Sequence, residues 1–242
     1  MRSAIALVSA LALAACNAVE AQKGEAAEAS GSGGERSFQV GAFDSVSLGG
    51  HHNVIVTVGG APSVRAEGDE RELADLEIRT SGNELHIGTK DRTGWSGRRH
   101  AVTVYVTLPA IAKASIGGSG DIRIDNVQGQ RFEASIGGSG NIEIASLRVE
   151  DGRFAVAGSG NIRAGSGQAQ TTDVSIAGSG DVDLAAVETR NADVSVVGSG
   201  DVSIRASEAA SVTVMGSGDV MVAGQARCSV NKMGSGDVRC EA

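Results

Sequence analysis

Aromatic side chains are nearly absent from this 242-residue chain: one Trp, one Tyr and four Phe, 2% in all. Its core therefore has to be assembled from Val, Ile, Leu and Ala. Hydrophobic residues at 41% supply enough of these to exclude wholesale disorder. Proline is scarcer still, with two residues, which rules out a collagen or a proline-rich linker. Basic residues are outnumbered, 21 against 29 acidic, for a net charge of −8. A surface of that sign does not neutralise phosphates, so nucleic acid is excluded as a partner class. Long hydrophobic runs are missing too. The apolar stretch over residues 4–15 is too short to span a bilayer as a helix. Glycine is what abounds: 35 residues, about twice the usual share.

The apolar stretch follows a short positive region at Arg2 and ends in Leu13-Ala14-Ala15-Cys16. These four positions resemble a bacterial lipobox. The resemblance implies that residues 1–15 are a signal peptide and that Cys16 is lipidated as the first mature residue. The chain would then be exported and held to a membrane through lipid alone. Asn17, where an Asp would retain the protein at the inner membrane of a proteobacterial host, implies the outer membrane. An ordinary signal peptide cut near Val19-Glu20-Ala21, with Cys16 discarded, is the alternative. Residues 16–37 read as the lipidated cysteine and a flexible tether of Ala, Glu, Gly and Ser, spanning about 25 Å.

The motif Gly-Ser-Gly-Asp/Asn begins at Gly118, Gly138, Gly158, Gly178, Gly198, Gly216 and Gly234, with spacings of 20, 20, 20, 20, 18 and 18. A fixed period of that length means stacked repeats. Within each repeat, apolar residues alternate with a period of two. Ile122 and Ile124 or Val182 and Leu184 follow the motif; Ala134 and Ile136 or Val194 and Val196 precede the next copy. Each repeat thus holds at least two strands joined by a tight corner. Equivalent strands pair in parallel about 4.8 Å apart. The predicted fold is all-β, a parallel β-solenoid of about 20-residue coils with Gly-Ser-Gly-Asp/Asn corners.

These repeats, the lead-in Val102-Thr103-Val104-Tyr105-Val106-Thr107-Leu108-Pro109, the opening Phe43-Asp44-Ser45-Val46 with Asn53-Val54-Ile55-Val56, and Leu85-His86-Ile87 resemble the head GIN domain family of auto-transporter adhesin heads. The resemblance runs over residues 38–240. It implies a β-helix-like fold, secretion and no known catalytic residues. Residues 38–242 are accordingly one domain, with regular repeats over 113–242 and irregular coils over 38–112 that cap the N-terminal end. Strands are expected over 54–58, 77–80, 84–87 and 102–108, a helical turn or two over 70–76, and a basic loop around Trp95.

The motif's last residue forms a ladder: Asp121, Asn141, Asn161, Asp181, Asp201, Asp219 and Asp237. Each is expected to accept a backbone N–H within its own turn, a role Asn fills as well as Asp. The alternative is calcium between the carboxylates of Asp121, Asp181, Asp201, Asp219 and Asp237, since stacked carboxylates repel. Against it, the Asp falls one residue too early for the known calcium-binding glycine repeat, and the period is wrong. His51 and His52 are adjacent, so on a strand they would point to opposite faces and make a poor metal site. The histidines read as solvated or loop residues.

Catalysis has no foothold. The Ser of Gly-Ser-Gly recurs seven times, whereas a catalytic Ser is singular, and no Gly-x-Ser-x-Gly elbow sits between strand and helix. One outward row, Arg123, Glu143, Arg163, Asp183, Ser203, Met221 and Arg239, reads as cross-strand charge pairing. Another, Ser115, Ser135, Ala155, Ser175, Ser195 and Thr213, is flat and nearly uncharged, an interaction face or merely a place where small residues relieve crowding. Cys228 and Cys240 lie six before and six after Gly234, at inward positions on facing strands. In an oxidising compartment they are expected to form a disulfide, with buried free thiols as the alternative. The sequence reads as a non-catalytic surface module without cofactor, binding another protein, a glycan or itself. A homotypic or ligand-sensing envelope component and a carbohydrate-active β-helix enzyme are the alternatives.

Overall fold

The computed structural model describes residues 24–90 and 100–241. The signal-peptide and lipobox readings, Cys16 included, and Trp95 lie outside the described residues.

Strands β1 (Glu25–Ala26), β2 (Ala29–Ser30) and β3 (Glu35–Phe38) come first, then β4 (Ser45–Leu48), β5 (Asn53–Val58) and β6 (Ser63–Glu67). Helix α1 (Glu70–Asp75) follows, with β7 (Leu76–Ser81), β8 (Glu84–Thr89) and β9 (Thr103–Leu108). The repeats supply β10 (Lys113–Ile116), β11 (Asp121–Ile136), β12 (Ile142–Gly158), β13 (Ile162–Ala164), β14 (Gly167–Gly178), β15 (Val182–Gly198), β16 (Val202–Gly216), β17 (Val220–Ala223), β18 (Arg227–Gly234) and β19 (Val238–Glu241). From β10 onward every pairing is parallel, in the register of the repeat: Ile122 sits on Ile142, Ile142 on Ile162 and Ile162 on Val182. This is the expected β-solenoid.

Alternate side chains of most strands are buried, as with Ile122 and Ile124 or Ala134 and Ile136. Ile122, Ile142, Ile162, Val182, Val202 and Val220 form one interior stack, each at most 1% exposed. Ile116, Ile136, Val156, Ile176, Val196 and Val214 form another. The 20-residue coils carry a third face, seen where Leu147 pairs with Gly167 and Gly167 with Val187. The drop in spacing to 18 falls on this face. Leu184 pairs with Ile204, but the next partners are Glu188 and Arg205.

The N-terminal half departs from the expected irregular coils. β4 pairs in parallel with both β8 and β10, and β5 with both β9 and β11. The solenoid therefore extends two coils beyond the first Gly-Ser-Gly motif. The chain lays the β4–β5 coil, travels outward to lay β8–β9 on one side, and returns to lay β10–β11 on the other. The cap itself is antiparallel: β6 on β9, β3 on β6, β7 on β8. Asp69 starts α1 by accepting the Arg71 N–H at 2.9 Å, and Leu73 is buried. Part of the segment expected as a flexible tether, residues 16–37, is paired in strands. β1 pairs with β7 and β2 with β3, because the backbone groups of residues 25–38 find partners on the cap.

Candidate binding surfaces

Each corner is built by two glycines. The first places its carbonyl where the next coil's Ser donates, and at several corners the second Gly donates as well: Ser139 N–H and Gly140 N–H reach the Gly118 oxygen at 2.9 and 3.2 Å. Close approach of this kind leaves no room for side chains. A Cβ on Gly158 would lie 2.2 Å from the Gly138 oxygen, and one on Gly160 2.1 Å from the Gly140 oxygen. Gly158 also holds φ at +146°.

The Asp/Asn ladder bonds differently from the sequence expectation. The acceptor serves the next coil, not its own turn. Asp121 Oδ1 accepts the Asn141 N–H at 3.0 Å, Asn141 Oδ1 that of Asn161, and Asn161 Oδ1 that of Asp181. Asp181, Asp201 and Asp219 continue to Asp201, Asp219 and Asp237 at 2.9, 2.8 and 2.7 Å. The reason is geometric: strands turn away after the corner, and the side-chain oxygen fills the inter-coil bond that the ladder would otherwise lose. Asn is interchangeable because only one oxygen is needed. Among the described residues no three or more His, Cys, Asp and Glu side chains, those of Asp121, Asp181, Asp201, Asp219 and Asp237 included, are gathered as a metal site.

One corner was missed in the sequence. Gly50-His51-His52-Asn53 occupies the place of a Gly-Ser-Gly-Asp motif, with Asn53 paired to Asp121 and the Gly50 oxygen bonded by Ser119 and Gly120. His52 is consequently buried, not solvated. Its Nδ1 accepts the Val102 N–H at 3.3 Å, which places the proton on Nε2, and Nε2 donates to Thr89 Oγ1 at 3.1 Å. Thr89 and Val102 are where the chain leaves and re-enters the β8–β9 coil, so the ring ties the two ends of that excursion. The signal was the spacing to Asn53, hidden by the substitution of both small residues.

The outward row Arg123, Glu143, Arg163, Asp183 pairs as expected, with Arg123–Glu143 at 2.9 Å and Arg163–Asp183 at 3.5 Å. A neighbouring face repeats the pattern in Lys113–Glu133 at 3.7 Å and Arg153–Asp173 at 3.5 Å. Beside it run Ser115, Ser135, Ser175, Ser195 and Thr213 in register. The adjoining row grows from Ala157 and Ala177 to Val197, Met215 and Met233. The last three are 46%, 40% and 64% exposed, an apolar ridge on the final coils. Cys228 and Cys240 are joined in a disulfide. Cys228 stacks on Ala210 and Cys240 on Val222, but Cys240 is exposed where burial was expected, since among the described residues nothing pairs with the outer edge of β19.

A parallel solenoid that turns on inter-coil glycine corners and presents rows of like side chains defines a repeat-built β-solenoid domain. The chain belongs to the family described as "Putative auto-transporter adhesin, head GIN domain", whose model matches residues 42–226. Among solved structures it is similar to a "putative adhesin" from Bacteroides fragilis, at 22% identity and a TM-score of 0.81, covering 86% of this chain and 96% of that one. It is also similar to a "putative lipid binding protein" from Parabacteroides distasonis, at 22% identity and a TM-score of 0.71 with the same coverage. A comparison with curated proteins finds no match.

Proposed function

We propose that this protein is an exported, lipid-anchored and non-catalytic binding module of the cell envelope, adhesin-like in action. The observation that carries the reading is the regularity of the outer surface. Charged pairs, serines and corner carboxylates recur coil after coil at one spacing, which suits a repetitive or extended ligand and favours no single reacting position. The family's description and the adhesin descriptions of the similar structures agree with it. Export and lipidation rest on Leu13-Ala14-Ala15-Cys16. The apolar ridge Val197, Met215 and Met233 favours a second reading, a homotypic element of the envelope.

Mature protein held in detergent, offered an array of envelope and host polymers, should bind one class saturably and leave it chemically unchanged. New chain ends released from the polymer would make it an enzyme. Self-association in sedimentation with no polymer retained would favour the homotypic element.

A further inference from the structure

Lys113, Arg123, Arg131, Arg153 and Arg163 each pair with a carboxylate on the next coil. On the third face Arg148 and Arg190 have no such pair among the described residues. Arg148 stands opposite Gln168, which stands opposite Glu188, and Glu188 stands opposite Arg205. One outward position further on lie Gln170 and Arg190. Among the described residues, Arg148, Gln168, Gln170, Glu188 and Arg190 make no side-chain hydrogen bond or ion pair. Arg205 donates from Nε to the Ala185 carbonyl at 3.2 Å.

These side chains line a groove of about 620 Å³ floored by Val149, Ala169, Thr189 and Ala206. The groove lies where the repeat contracts. The shorter coil omits the residues between Ile204 and Arg205 that Ala185, Ala186 and Val187 supply above it. The third face is therefore shorter there, and the buried Ala206 lines the groove.

We infer that this groove binds an extended, carboxylate-bearing polysaccharide along the solenoid axis, an inference that rests on the binding-module reading above. Arg148 and Arg190 are two coils apart, about 10 Å at the interstrand spacing. One small anion cannot bridge them, whereas a polymer with carboxylates on successive or alternate units can. Guanidinium groups pair with carboxylates through two parallel hydrogen bonds. The free amides of Gln168 and Gln170 between them both donate and accept, as sugar hydroxyls require. Glu188 is the only acid in the lining; Glu150 and Glu208 are exposed on the same strands outside it. The lining offers no aromatic ring on which a neutral sugar could stack, so charge carries the recognition.

The test uses the full mature protein in detergent against immobilised polygalacturonate, with dextran and galacturonate monomer as comparisons and phosphatidylglycerol vesicles as a separate arm. Polygalacturonate should be retained and dextran not, retention should fall with added salt, and monomer should compete poorly. Arg148→Gln and Arg190→Gln should each weaken binding about tenfold. Arg163→Gln, on another face and paired with Asp183, should leave it unchanged. All these residues are exposed, and melting curves establish that the variants fold.

Equal retention by the groove variants, or equal retention of dextran, overturns the proposal. So does binding of the vesicles without the polyuronate. If another polymer binds and the groove variants leave that binding intact, this site falls while the binding-module reading stands. If no polymer binds at all, both fall.

Discussion

Gly180→Ala would put a methyl carbon 2.0 Å from the Gly160 carbonyl oxygen, inside a backbone that cannot withdraw. A loss of about 2–3 kcal/mol is expected in denaturant melts. Gly129→Ala meets nothing within 4 Å and should be neutral or stabilising by up to about 1 kcal/mol. Similar losses for the two would mean that the corners tolerate side chains and that the glycines do not define the coil. The ladder gives a second contrast. Asp201→Ala removes the acceptor for the Asp219 N–H and should cost about 1 kcal/mol, whereas Asp201→Asn keeps the acceptor, as Asn141 and Asn161 do, and should match or exceed the parent. The strand register was legible at this scale: Ile144 is 2% exposed and its neighbour Glu143 is outward. The direction of the Asp/Asn bond was not, because a short acceptor near a turn satisfies local and inter-coil donors with the same sequence. Nor was the role of Gly152, whose missing side chain makes room for the Phe154 ring, 2.9 Å from where a Cβ would stand. Two residues of one strand, two positions apart, exchange volume there, and one-dimensional patterning does not register it.

Elements that lack the repeat were the harder ones to place. Their strands were legible from alternation, as in Asn53–Val58 and Thr103–Leu108, but not their order. Two sequentially distant coils compete for the same partner edge, and only tertiary packing decides that β8–β9 lies outside β4–β5. His52 is the fastening of that arrangement. His52→Leu would strand the Val102 N–H in a buried site, at a cost of about 2 kcal/mol, detectable as a lower melting temperature. An unchanged melting point would show that the ring merely fills space. At the opposite end, the Cys228–Cys240 bridge closes a loop of sequence separation 12. In the chain-entropy model such a closure is worth about 3 kcal/mol. Reduction should add two hydrogens to the intact mass and accelerate hydrogen exchange in β18 and β19, while the coils over 133–184 keep their protection. Uniform deprotection would mean that the bridge stabilises the whole solenoid instead of its last coil.

The proposed lipid anchor is tested on the whole molecule. Cys16→Ala should abolish labelling by a fatty-acid analogue and move the protein out of the detergent phase; equal labelling of parent and variant would refute the lipobox reading. The larger consequence comes from the corner geometry. The bonds that fix a corner reach one coil and no further: a carbonyl takes one or two N–H groups from the next coil, and an Asp or Asn oxygen takes another. Removing residues 141–160 would bring Asp121 onto Asn161 through the same set of contacts, and Ile122 onto Ile162. The protein so shortened should fold, with the antiparallel cap and the disulfide untouched. Its length would fall by one strand spacing, about 4.8 Å. The chain is in this sense a ruler graduated in coils of about 20 residues. Gene duplication or loss of one graduation alters how far the far end projects without any mutation of the parts that do the joining.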